Sequence, residues 1–280
     1  MAIPLFKNEI WIDLDSFETS VGDGIIDAST AFIHLASTSV PSTFASMPWQ
    51  EISQNVDPVC KLLDRIARRN CGAHFIFISS GGTVYGNVGS TKPVHEDTPV
   101  APISAYGLGK VMIEEAVRFT NRTSELPYTI LRIANPIGIH AHGGAQGLVL
   151  AALRAVQKNT SLHLFGDGSH IRDYLAADDV AEAILCAAFD LGSRCNTYNV
   201  GSGIGRSNLE MIRFVEKTIG QPVPLRLVPS RPIDVPAIVL DCAKIRDALG
   251  WRPKEDLKET VGAMWAARHT HHGLFLNHVS

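Results

Sequence analysis

Apolar positions along the chain fall into two rhythms. Short apolar runs read as strands: Glu9-Ile10-Trp11-Ile12-Asp13-Leu14, Ala31-Phe32-Ile33-His34-Leu35-Ala36-Ser37, His74-Phe75-Ile76-Phe77-Ile78, Tyr128-Thr129-Ile130-Leu131-Arg132-Ile133 and Ser161-Leu162-His163-Leu164-Phe165. The runs at 74 and 128 are almost continuously apolar, as expected for parallel strands covered on both faces. Helical periods lie between them. Val56, Val59, Leu62, Leu63 and Ile66 form one stripe between Pro48 and Asn70, where Pro58 predicts either a fresh first turn after Asp57 or a kink. Further helices are predicted from Tyr106 past Phe119, from Leu148 to Gln157, after Asp178 or Asp179 as cap, and from Leu257 to Arg268. Another starts at Ser207, three residues ahead of Glu210 in capping-box spacing, and stops at Gly220. Strand, loop, helix and strand in this order make an α/β unit, and ligands sit where such strands end.

At one such end stands Ser104-Ala105-Tyr106-Gly107-Leu108-Gly109-Lys110. Tyr106 and Lys110 are one helical turn apart and share a face. A phenol ionises near pH ~10, and an ammonium beside it is expected to lower that value, so the pair can take a proton from an alcohol or return it.

Composition narrows the setting. A net charge of −3 over 280 residues gives no reason to expect nucleic acid or an anionic membrane as partner. Cys60, Cys71, Cys186, Cys195 and Cys242 have neither C-x-x-C pairing nor metal-ligand spacing, which points to a reducing, cytoplasmic setting without a bound metal. No run is long and apolar enough to span a bilayer, and the start lacks the pattern of a signal peptide. Arg65, Arg68 and Arg69 read as a solvated face complementing a helix dipole, His34 as a packed core histidine, and His269-Thr270-His271-His272 as a solvated end.

Taken in order, SSGGTVYG (79–86), SAYGLGK (104–110), LRIANPIG (131–138), IRDYLAADDVAEAI (171–184), YNVGSG (198–203), RPIDVP (231–236) and LGWRP (249–253) resemble the extended short-chain dehydrogenase/reductases, specifically the NAD-dependent nucleotide-sugar epimerases and dehydratases. The resemblance implies a Rossmann-like, doubly wound parallel sheet with a smaller α/β substrate domain. The NAD-binding part would be 1–137 plus 174–200, and the nucleotide-sugar part 138–173 plus 201–280. It implies NAD held by Asp13, Leu14, Leu35, Ala36, Ser37, Asn55, Ser79, Tyr106 and Lys110. Tyr106 would be the acid/base, with Lys110 beside it. A serine or threonine that usually holds the reacting oxygen is replaced by Gly81, leaving Thr83 or Ser80 as substitutes, with Thr83 preferred. For a UDP-hexose it implies Thr83, Asn135, Gln146, the pair Arg172 and Arg231 for the diphosphate, and Asp234 for the ribose. Arg172 has the alternative of an ion pair with Asp173 or Asp179. A homodimer through the helix of Tyr106 and the long helix before it is also implied.

The family opens with a glycine-rich G-x-x-G-x-x-G turn inside a βαβ unit of roughly 30 residues or more, and residues 1–8 cannot hold one. Gly22-Asp23-Gly24 and Gly201-Ser202-Gly203-Ile204-Gly205 do not have its spacing. Weak dinucleotide affinity is therefore expected, from a start codon assigned too far downstream, a shortened chain, or a gene that has lost its front end. The expected activity is 4-epimerisation of the UDP-glucose/UDP-galactose type. The alternatives are an impaired relative that binds a nucleotide sugar or a partner subunit, and a dehydratase or reductase.

Overall fold

The computed structural model describes residues 17–40, 43, 47–69, 72–90, 92–138 and 147–267. The expected strand at 9–14, with Asp13 and Leu14, lies outside these residues, as do Cys71, Gln146 and the histidine-rich end.

Four parallel strands form the main sheet in the order β1 (Ala31–His34), β2 (His74–Ser80), β3 (Tyr128–Ile133) and β7 (Asn196–Val200). Alternation along β2 and β3 sends side chains to opposite faces. Phe75, Phe77 and Ile130 pack with Val59, Leu63 and Ile66 of α3 (Asp57–Arg69) and with Ile113 and Val117 of α4 (Ala105–Ser124). Ile76, Ile78 and Leu131 pack on the other face, with Val180, Ile184 and Ala187 of α6 (Ala177–Phe189), Ile245 of α8 (Ala243–Leu249) and Trp251. Coverage on both faces explains why these strands read as unbroken apolar runs.

A second sheet places β6 (Ile171–Ala176) between β4 (Asn135–Ile137) and β10 (Ala237–Ile238), with β8 (Gly205–Ser207) antiparallel to β6. Another core joins α5 (Leu148–Lys158), β5 (Leu162–Phe165), α7 (Asn208–Ile219) and α9 (Leu257–Ala266) through Leu153, Leu164, Met211, Val215 and Val261, with β9 (Leu225–Val228) paired parallel to β5. Strand β6 spans residues 171–176, and Ile245 and Trp251 pack in the core on one face of the main sheet.

Local detail refines several expectations. Short α2 (Pro48–Glu51) passes into a π-helical turn, Ile52–Val56, before α3 begins at Asp57, so the chain restarts its helix ahead of Pro58. Two of the three arginines at the end of α3 are not simply solvated: Arg65 binds Asp23 and the carbonyls of Phe17 and Thr19, and Arg69 pairs with Asp23 and Asp27, fixing α1 (Ser20–Ala28). Neither Asp178 nor Asp179 caps α6. Its N-cap is Ala176, and the Asp179 carboxylate accepts from the backbone N–H groups of Lys254 and Glu255. The capping box of Ser207 and Glu210 forms as expected, and α7 ends on Gly220 at φ 70°.

Candidate active site

The loop after β2 and the start of α4 meet at the carboxyl ends of the main sheet. Ser104 accepts from the Gly107 N–H at 3.1 Å and starts α4, so Tyr106 falls in its first turn and Lys110 one turn on. The Lys110 ammonium donates to the Ile78 carbonyl at 3.0 Å and lies 5.5 Å from the centre of the Tyr106 ring. An ammonium has three donors, and this is its one hydrogen bond among the described residues.

The electrostatics differ from the sequence expectation. Burial pushes the Tyr106 phenol up to about 12; the Ser80 hydroxyl opposes this and the Glu51 carboxylate adds to it. Burial also brings Lys110 down to about 8, against the pull of Glu51 and Glu114. The expected lowering of Tyr106 by Lys110 is not seen: desolvation dominates, and the one group that lowers the phenol is Ser80. Burial, reinforced by Lys110, brings His34 down to about 4; neutral at neutral pH, it packs near Phe75 and Phe77 as a core histidine would.

Of the loop residues, Ser79 is consumed internally: its hydroxyl donates to Glu114 at 2.6 Å. Ser80 is the hydroxyl near Tyr106, while Thr83 Oγ1 is buried without a hydrogen-bond partner among the described residues. Gly81 has a packing reason. A Cβ there would stand 2.5 Å from Leu240 Cδ1 and 3.0 Å from the Arg132 carbonyl, so the position has no space for a serine side chain as the structure stands.

Beneath the site lies a polar network that the sequence reading missed. Arg132 donates twice to Glu114, at 3.0 and 2.6 Å, and also to Tyr85 at 3.0 Å, whose hydroxyl donates to Asn199 at 2.7 Å. Burial raises Glu114, but Arg132, Ser79 and Arg118 together hold its carboxyl below the usual carboxylate range. Glu51 was also missed; it is 2% exposed and faces both Tyr106 and Lys110. The signal for Glu114 was an acidic residue one turn beyond Lys110 together with an arginine inside an apolar strand. For Glu51 there was no local signal.

Beyond β1, Leu35, Ala36 and Ser37 are exposed, and Asn55 organises the following turn by accepting from the Thr38 N–H at 2.8 Å and donating to Ser39 at 3.2 Å. A second cluster gathers on the other side of β4. Asn135 donates to the Asp173 carbonyl at 2.9 Å, tying the start of β4 to β6, the strand that carries Arg172. Arg172 and Arg231 are close enough to repel, with Asp234 and Tyr174 offsetting the repulsion. Arg231 pairs with Asp234 through two bonds of 2.9 and 2.8 Å and stacks 4.1 Å over Phe165. Arg172 pairs with neither Asp173 nor Asp179: Asp173 accepts from Ser202, Gly203 and Leu240 N–H groups and the Ser202 hydroxyl, and Asp179 is taken as described above. Two arginines side by side, Arg172 having no ion pair among the described residues, make a setting suited to a diphosphate.

Residues 6–201 match the NAD dependent epimerase/dehydratase family. The chain belongs to that family. It is 32% identical over 253 residues to the UDP-glucose 4-epimerase of Bacillus subtilis strain 168, covering 84% of this chain and 74% of that protein. Against the UDP-glucose 4-epimerase of Lactobacillus helveticus it is 28% identical over 258 residues, covering 86% and 77%. Its fold is that of UDP-glucose 4-epimerase from Thermotoga maritima, solved with UDP-glucose (TM-score 0.79, 28% identity, 86% of this chain and 79% of that one). The UDP-glucose 4-epimerase of Thermus thermophilus, solved with NAD, is similar to the same extent (TM-score 0.78, 28% identity, 86% and 79%). A Rossmann-like α/β fold is therefore what this family member has. Among the described residues, no helix is long and apolar enough to cross a membrane, no group of histidines, cysteines and carboxylates could hold a metal ion, and Cys60, Cys186, Cys195 and Cys242 are free thiols.

Proposed function

We propose that this protein epimerises a UDP-hexose at carbon 4, interconverting UDP-glucose and UDP-galactose with NAD as resident cofactor. The observation that carries the reading is the pair of half-buried Tyr106 and buried Lys110 on one face of α4, set at the strand ends in a chain of this family. The nicotinamide end fits the residues present, since Lys110 has donors to spare and Tyr106 stands beside it. Exposed Leu35, Ala36 and Ser37, with Asn55 behind them and Asp13 and Leu14 earlier in the chain, are assigned to the rest of the cofactor, and Ser79 supports the site from below.

NAD, when bound, supplies the acceptor and then the donor of a hydride at the sugar carbon. Tyr106 takes the proton of the 4-hydroxyl and returns it. Lys110 holds positive charge beside the phenol and makes its ionised form accessible, against the burial that opposes it. Thr83 Oγ1, without a hydrogen-bond partner among the described residues, holds the reacting oxygen in place of the missing side chain at Gly81. Arg172 and Arg231 bind the diphosphate, Asp234 orients Arg231 and meets the ribose, and Asn135 and Gln146 complete the sugar-nucleotide contacts. The cofactor part is assigned to 1–137 plus 174–200 and the sugar-nucleotide part to 138–173 plus 201–280. A cytoplasmic homodimer through α3 and α4 accords with the free thiols and with Phe119, 59% exposed on α4; sedimentation tests it.

The decisive experiment is to purify the chain, denature it, measure released NAD by absorbance, and assay UDP-glucose conversion with and without added NAD. Conversion is expected. Binding of UDP-glucose with neither cofactor nor conversion would instead identify a nucleotide-sugar-binding protein.

A further inference from the structure

Glu51 takes no part in the chemistry assigned above, yet its surroundings set it apart from a structural carboxylate. It closes α2 with 2% exposure, and its Oε2 has no hydrogen-bond partner among the described residues. Leaving a buried carboxylate oxygen unpartnered is costly, so its retention calls for a reason. The side chain is lodged against the middle of the Y-x-x-x-K turn. A Cβ built on Gly109 would stand 2.6 Å from both Cγ and Oε1 of Glu51, so only glycine at 109 lets the carboxyl lie there undisturbed.

We propose that Glu51 is a positioning residue of the Tyr106–Lys110 pair, its carboxylate seated against Gly109 so that the resting site keeps Lys110 as ammonium and Tyr106 as phenol. Among the described residues, few groups face the pair. Glu114, from α4, is committed to Arg132 and Ser79; His34, from β1, is neutral; Ser80, from β2, is uncharged. Among the described residues Glu51 is the remaining carboxylate, and it makes no direct ion pair there with Lys110, which donates to Ile78, so it acts through space. Burial raises the Glu51 carboxyl itself, opposed by Ser39, Lys110 and Asn55, while Lys110 lies at about 8 and so is the group nearest to discharge as pH rises. Removing the carboxylate brings that discharge to lower pH. If the function proposed above holds, the alkaline limit of the reaction moves with it.

The test uses the chain without substrate or cofactor. The pH dependence of amine labelling at Lys110 is read by peptide mass spectrometry, and the Tyr106 phenol by ¹³Cζ NMR, assigned with Tyr106→Phe. In Glu51→Gln the Lys110 midpoint is expected to fall by about one pH unit, and that of Tyr106 to fall as well. Gly109→Ala, whose methyl group displaces the carboxyl, is expected to shift Lys110 in the same direction. Unmoved midpoints in the folded variants overturn the proposal. If neither variant folds, the wild-type chain decides, because coupling requires the Tyr106 resonance to step at the midpoint of the Glu51 ¹³Cδ resonance and a flat response there rejects it. Unmoved midpoints leave the epimerase reading intact, and absent turnover leaves the titration result intact.

Discussion

The buried pair of Glu114 and Arg132 offers the sharpest test of what holds the site together. Replacing Glu114 by alanine leaves the Arg132 guanidinium, 5% exposed, without the carboxylate that is its ion-pair partner among the described residues, and strands the Ser79 hydroxyl. Breaking a buried ion pair from one side costs about 3–5 kcal/mol, against a total stability of about 5–15 kcal/mol for a folded domain. The variant should unfold at much lower urea, followed through the fluorescence of buried Trp251. Removing both charges is expected to be far milder, so Glu114→Leu with Arg132→Met should recover most of the loss, since Tyr85 keeps its bond to Asn199. The pH dependence has a defined sign. The folded pKa of Glu114 lies below its ordinary value, so its contribution is complete above the unfolded carboxyl pKa of about 4.3 and is lost as pH falls through the folded value. The gap between wild type and Glu114→Ala should therefore narrow on acidification. A single-variant loss under about 1 kcal/mol, the value of an exposed pair, or a double variant no better than the single, would refute this account.

Other outcomes follow from the site. Tyr106→Phe should cut turnover by about 10²–10⁴-fold while UDP-glucose binding, measured by calorimetry, stays near wild type. Thr83→Val removes a hydroxyl that has no hydrogen-bond partner among the described residues, so thermal stability should hold or rise while turnover falls; a clear loss of stability would show that the hydroxyl is already bonded. Gly81→Ser should cost about 1–3 kcal/mol of stability without improving turnover, because the added atoms meet Leu240 and the Arg132 carbonyl.

Much of the fold was legible because two-sided burial leaves a plain mark: β2 and β3 read as strands since Phe75, Phe77 and Ile130 face one layer and Ile76, Ile78 and Leu131 the other. The capping box at Ser207 was equally readable, being set by local backbone bonds. Asp179 was not, because its partners at 254 and 255 lie far along the chain, and a carboxylate that could cap its own helix was drawn elsewhere. In the site, the Tyr106–Lys110 spacing was visible, but its electrostatics were not: the sequence shows the neighbouring cation and hides both the burial and Glu51. Gly81 likewise looked like a lost hydroxyl until Leu240 was seen to fill its space.

The clasp formed by Asp173 has a consequence for anyone screening this protein at random. That carboxylate moors the strand of Arg172 to loops some thirty and nearly seventy positions downstream, at Ser202–Gly203 and Leu240. Lesions in those loops, though remote from any bound molecule along the chain, would loosen the footing of the arginine we assign to the diphosphate. A selection scored on affinity would gather them with true contact mutants, and only a structure or a stability measurement would tell the two groups apart.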